Sequence, residues 1–192
     1  TQHGCLGTIR FDKHNVRVAG LAQPLPSEAI HRTVHASQWQ VQWKAVMRQH
    51  LSHLSLVYTG DDPDPIEKMI VLYKVSRAFN HENLLGIVNE NAWTAHPPAE
   101  TLSSEKIRSF RGEFPFKLWI GFVRFYMDEE NFWLVTKGHH IFDVPDLAVL
   151  VQPGESPDQI AHSLMNIFYY IYEQDVFVTA GDTLSIKGTG ET

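Results

Sequence analysis

The sequence predicts a single α+β domain over residues 1–192, with a mixed or mainly antiparallel sheet and helices packed mainly on one face. Three observations lead there. Short β-prone runs are joined by turn-rich segments, apolar residues recur at 3.6-residue spacing behind capping residues, and no internal repeat, low-complexity tract or Pro/Gly/Ser linker divides the series. A doubly wound fold fits this mixture of hairpins and helices less well. A chain of this length buries roughly 70% of its unfolded surface, so an apolar core suffices without disulfides or structural metal. Flexibility is expected at the ends, residues 1–7 and 188–192.

Residues 8–11 and 16–22 are β-prone and flank the turn-rich Asp12-Lys13-His14-Asn15, which predicts an opening hairpin. After Pro24-Leu25-Pro26, Ser27 is placed to cap a short helix carrying Ile30 and Val34, with His31 and His35, on one face. Trp39, Trp43, Val46 and Met47 continue at helical spacing, which predicts two helical pieces. Residues 54–58 (LSLVY) are too short for a helix and predict a buried strand. Asp64 as cap, Pro65 at the first helical position and Glu67 two residues later predict a largely buried helix to about Asn80.

Residues 84–88 predict a strand, and 89–98 an irregular stretch containing Trp93 and His96. A capped helix is expected over 103–110. Residues 117–127 (KLWIGFVRFYM) are apolar on both alternating faces and turn through Asp128-Glu129-Glu130-Asn131 into 132–136, the clearest hairpin in the chain. Gly138-His139-His140 breaks that arm, and 147–151 is the next strand. Ser156, Pro157 and Gln159 open a helix with Ile160, Leu164, Ile167, Phe168 and Ile171 on its stripe. Residues 183–187 are assigned a last edge strand.

Composition excludes several classes of function. Lys and Arg number 16 against 22 Asp and Glu, a formal charge of −6 with the basic residues scattered, so nucleic acid is not an expected partner. No apolar run is long enough to span a membrane, and the segment TQHGCLG at the N-terminus lacks the pattern of a secretory signal. A cytoplasmic location is expected. Cys5 is the only cysteine, which rules out an intrachain disulfide and a CxxC redox pair. GxSxG, P-loop and GxGxxG motifs are all lacking.

Four phrases together resemble the bacterial family called domain of unknown function 4261: VAGLAQPLP at residues 18–26, HLSHLSLVY at 50–58, TKGHHIFDVPDLAVL at 136–150 and NIFYYIYEQD at 166–175. The resemblance implies an ordered, compact fold and supplies no catalytic residues. Family members show a glycine step where this chain has Phe142-Asp143, so the resemblance implies a different local turn here.

The candidate sites rest on histidine and aspartate. His50 and His53 are three apart and could share a divalent metal if they occupy one helical turn; a packed helix-end histidine explains them better. His139, His140, Asp143 and Asp146 form the densest set of ligand types, against which stand the ordinary turn-forming roles of aspartate around Val144-Pro145. Asp61, Asp62 and Asp64 lack the spacing of a calcium loop, and helix capping accounts for Asp64. Tyr169 and Tyr172 lie off the core stripe of the last helix and are candidates for a protein contact. The expected function is a non-catalytic binding or protein-interaction domain without a cofactor, with homo-oligomerisation open. The alternatives are a metal-dependent, hydrolase-like enzyme built on the histidine/aspartate cluster and a small-ligand-binding domain.

Overall fold

The computed structural model describes residues 4–37 and 39–179. It is an α+β structure whose sheets are small and antiparallel, three of them among the described residues. The chain divides into two compact units, Thr1–Gly121 and Phe122–Thr192.

The first unit opens with the expected hairpin, β1 (Gly4–Phe11) and β2 (His14–Leu21). Asp12 takes φ 48° in its turn, a conformation that aspartate tolerates better than most residues. Residues 4–7, expected to be flexible, belong to β1. β3 (His53–Tyr58) pairs with the free side of β2 and gives the order β1-β2-β3. The expected burial of this strand is corrected, because β3 is an edge strand with Leu54 45% and Val57 51% exposed. An unbroken apolar run does not distinguish a central strand from an edge strand covered on one face.

Helix α1 (Ser27–Ile30) passes into a π-helical turn (His31–His35), and α2 (Val41–Met47) follows. Ser27 is the first helical residue rather than the cap; Pro26 occupies the cap position and no side chain bonds there. Ile30 and Val34 bury with Met47 and Ala95, while His31 and His35 stack with centroids 4.9 Å apart on the exposed side. Helix α3 (Pro65–Ala78) begins as its capping residues require, with the Ile66 N–H donating to Asp64 Oδ1 at 2.9 Å. Its Val71 and Val75 pack on Val16, Leu56 and Tyr58 of the sheet.

The stretch expected to be irregular contains a strand: β4 (Ile87–Asn89) pairs with β5 (Thr94–His96). Trp93, at φ 53°, turns the chain between them. Ser103 caps α4 (Ser104–Ser109). The start of the expected strand at 117 is corrected to a helical turn, α5 (Phe116–Trp119), entered from Pro115. Phe116 and Trp119 are both buried and lie three residues apart, so helical spacing prevails until Ile120.

The sheet of the second unit is β6 (Gly121–Tyr126), β7 (Phe132–Lys137) and β8 (Ala148–Val151). Asp128 Oδ1 closes the β6–β7 turn by accepting the N–H groups of Glu130 (2.9 Å) and Asn131 (2.7 Å). A 3-10 turn (His139–Phe142) lies between Gly138 at φ 106° and Asp143 at φ 59°. Helix α6 (Pro157–Gln174) starts with Ser156 accepting the Gln159 N–H, and its Leu164 and Ile160 pack on Leu134, Val149 and Val151. The expected strand at 183–187 lies outside the described residues.

Phe168 is fully buried on α6. Phe168→Ala is expected to lower unfolding free energy by about 3–5 kcal/mol, and Asp64→Ala by about 1 kcal/mol, both measured by urea denaturation.

Candidate functional site

His50 and His53 are not brought together as a chelating pair: both ring nitrogens of His50, and Nδ1 of His53, are held by the backbone. The His50 Nδ1–H donates to the Met47 carbonyl at 2.7 Å, and Nε2 accepts the Leu25 N–H at 2.7 Å. His50 thereby ties the end of α2 to the segment before α1. His53 Nδ1 donates to the Gln23 carbonyl at 2.8 Å.

In the second unit the structure brings His139, His140 and Asp146 together, and it leaves Asp143 exposed at the end of the 3-10 turn. Asp146 Oδ1 accepts the His139 N–H at 3.1 Å, and its Oδ2 lies 3.6 Å from His140 Nδ1. His139 is fully buried, with its Nδ1–H donating to the Pro145 carbonyl at 3.1 Å and its ring against Phe168 at 4.7 Å. Burial pushes its imidazole below the ordinary 6.5, with the Pro145 carbonyl opposing. These contacts fold the 136–147 loop back on itself: Thr136 Oγ1 accepts the Leu147 N–H at 2.7 Å. Among the described residues no group of three or more His, Cys, Asp or Glu side chains is placed to hold a metal ion.

Tyr169 and Tyr172 are half-buried. Tyr172 stacks on Phe168 at 5.7 Å and meets Phe142 edge-on, while the neighbouring Tyr170 turns outward. Residue spacing on α6 does not separate these three tyrosines, since a wide apolar face reaches beyond its central stripe.

Two polar constellations were not singled out from the sequence. Glu67, assigned there to the first turn of α3, carries Arg111 on one oxygen and faces Lys74 and His14 Nε2, each at 3.6 Å, with the other. Arg111 also reaches Asp64 at 3.3 Å, and His14 Nδ1 lies 3.0 Å from the Tyr58 hydroxyl. Asp62 pairs with Lys13 at 2.8 Å, which lowers the carboxyl and raises the ammonium. The network joins the β1–β2 turn, the start of α3 and the end of α4. With two cations already on Glu67, it is built as a clamp more than as a proton relay.

The second is buried between α3, β5 and α5. Tyr73 OH lies 2.7 Å from His96 Nε2, and its ring packs against those of Phe110 and Trp119. His96 Nδ1 has no hydrogen-bond partner among the described residues. Burial pushes His96 down to about 3 and Tyr73 upward.

One surface of the second unit is mainly apolar. Phe122, Phe132, Leu134, Val149 and Val151 face α6, so alternation turns Val123, Phe125, Trp133, Val135, Lys137, Ala148 and Leu150 to the opposite face of β6-β7-β8. Met127 continues that face beyond β6. Phe125, Met127 and Trp133 are 44%, 64% and 39% exposed. Lys137 is the one charged side chain that these strands place there.

Fold and side-chain geometry together define an α+β protein whose buried histidines are held by packing and by backbone or side-chain hydrogen bonds, and whose β6-β7-β8 sheet keeps an apolar outer face. Residues 135–192 match the model of the family described as Domain of unknown function (DUF4261). The match includes the phrases at 136–150 and 166–175 and excludes those at 18–26 and 50–58. No curated protein and no solved structure matches the chain.

The His96 shift fixes the sign of a pH effect. Its folded value of about 3 lies below the ordinary 6.5, so its contribution is complete above pH 6.5 and is lost as pH falls toward 3. Urea midpoints measured from pH 7.5 to 4 should fall, at a limiting slope of about 1.4 kcal/mol per pH unit from this residue. His96→Gln should flatten that dependence, leaving the smaller contribution of His139, which has the same sign.

Proposed function

We propose that the protein is a non-catalytic interaction module and that the outer face of β6-β7-β8 is its protein-contact surface. The observation that carries this is an apolar, aromatic sheet face at the surface, with its charges confined to the two ends of the strands. Contiguous apolar patches of more than a few hundred Å² are uncommon on monomers and mark interaction sites. Trp133 and Phe125 belong to the residue types that dominate contact energies. The commitment of His50, His53, His139 and Asp146 to hydrogen bonds supports a non-catalytic role over the metal-dependent alternative. The formal charge of −6 favours a protein over nucleic acid as partner.

Trp133→Glu and Met127→Glu place a charge on the face at exposed positions. Both variants are expected to keep the wild-type melting temperature within about 2 °C, since exposed substitutions alter stability little. Co-purification from native host cells should recover a partner with the wild type and lose it with either variant. Recovery unchanged in both variants, or no recovery with the wild type, would refute the assignment of the face.

A further inference from the structure

We propose that the free edge of β3 pairs with the β3 of a second copy of this chain, antiparallel and about a two-fold axis, joining the two β1-β2-β3 sheets into one continuous sheet. This surface is separate from the outer face of β6-β7-β8, and the proposal does not depend on the function assigned to that face.

The phase of the β2–β3 ladder shows which backbone groups are open. Next to the pair Val16 and Tyr58, the Thr59 N–H donates to the Asn15 carbonyl at 2.8 Å, which makes these two a hydrogen-bonded pair. Antiparallel ladders alternate, so the hydrogen-bonded pairs that follow are Val57 with Arg17, Ser55 with Ala19 and His53 with Leu21. Leu54, Leu56 and Tyr58 therefore turn their N–H and C=O groups away from β2. None of these groups takes a backbone partner elsewhere among the described residues. Sheet edges are ordinarily blunted by charge, proline, a bulge or shortness. β1 carries Arg10, β6 carries Arg124, and β4, β5 and β8 are three or four residues long. β3 has six residues, none of them Lys, Arg, Asp, Glu or Pro, in one-to-one register with β2. Its Leu54 and Val57, on opposite faces, are 45% and 51% exposed.

An open edge selects an extended strand, and the residues of β3 select a second β3. With Leu56 opposite Leu56 of the second copy, Leu54 falls opposite its Tyr58, and every outward N–H and C=O of the three residues meets its complement. A shift of two residues either way leaves an end pair unmet. On the α3 side the facing pairs are then Leu with Leu and Leu with Tyr. On the other side Ser55 stands opposite Val57, so no like charges oppose. The flanks agree in sign. The chain approaches β3 through Arg48, whose guanidinium meets His35 Nδ1 and no carboxylate among the described residues. It leaves β3 toward Asp61, exposed and in no ion pair among them, and residues 29–60 contain no Asp or Glu. Antiparallel pairing lays the basic approach of each copy beside the acidic exit of the other, and the contact is isologous. The apolar side chains newly covered are few, so the dimer is weak, with Kd on the order of 100 μM.

Sedimentation equilibrium of the full chain in reducing buffer, from about 5 to about 500 μM, should show the wild type passing from monomer to dimer. Amide hydrogen exchange followed by NMR over the upper part of that range should slow at Leu54, Leu56 and Tyr58 as concentration rises, and stay constant at Ser55 and Val57, whose N–H groups β2 already holds. The two-fold axis counts each substitution twice. Ser55→Lys and Val57→Glu, both at exposed positions, should each raise Kd about tenfold with the melting temperature unchanged, and the two together should return it to within about threefold of wild type. Ser55→Glu with Val57→Glu should stay monomeric, and Trp133→Glu should leave Kd unaltered. A wild type that remains monomeric at the highest concentration overturns the proposal, as does a dimer abolished by Trp133→Glu or one that leaves exchange at Leu54, Leu56 and Tyr58 unchanged. Failure of the Ser55→Lys, Val57→Glu pair to recover overturns the register.

Discussion

Helix α3 has to be buried from two sides, and the first unit is arranged around that requirement. Val71 and Val75 press on the β1-β2-β3 sheet, whereas Tyr73 points into the aromatic cluster of Phe110 and Trp119 and bonds His96 of β5. A phenol carries enough apolar surface to fill that space, and its hydroxyl needs a partner once water is gone. The imidazole of His96 supplies it at the cost of leaving its other ring nitrogen without a partner among the described residues. At the solvent end of the same helix Glu67 gathers His14, Lys74 and Arg111, so one element carries the unit's apolar packing and its ionic clamp.

Where local chemistry decides, the fold was legible. Asp64-Pro65 and Ser156-Pro157 start their helices as the capping residues demand, and Asp128 closes its hairpin through its own side chain. The failures share a cause. β5 has three residues and exists because β4 lies beside it, and β3 is an edge because β2 already has β1 on its other side. Neither neighbour is encoded within the strand itself. In the phrase 116–120 the helical spacing of Phe116 and Trp119 competes with a β-prone composition, and burial of both rings in the cluster decides it.

The candidate site was legible only in part. Both histidine pairs drew attention by proximity in sequence, yet three of the four rings serve the backbone and the fourth, His140, faces Asp146: His50 receives the Leu25 N–H and His139 donates to Pro145. Glu67 and His96 gain their surroundings from residues up to 53 positions away, such as His14, and no spacing rule reaches that far. The outer face of the β6-β7-β8 sheet did leave a trace. Residues 117–127 are apolar on both alternating faces, although a sheet covered by one helix needs apolar side chains on one face only.

The 3-10 turn beside His139 bears on how freely the sequence can vary. Asp143 holds φ 59°, the backbone conformation that a glycine in its place would adopt without strain. The left-handed strain of a side chain there is of order 1 kcal/mol, while glycine would loosen the unfolded chain by a comparable amount. These opposing terms nearly cancel. The loop's course is held by Asp146 and His139, so the residue at 143 can drift between aspartate and glycine at almost constant stability, and a change of letter at this position is no guide to a change of shape.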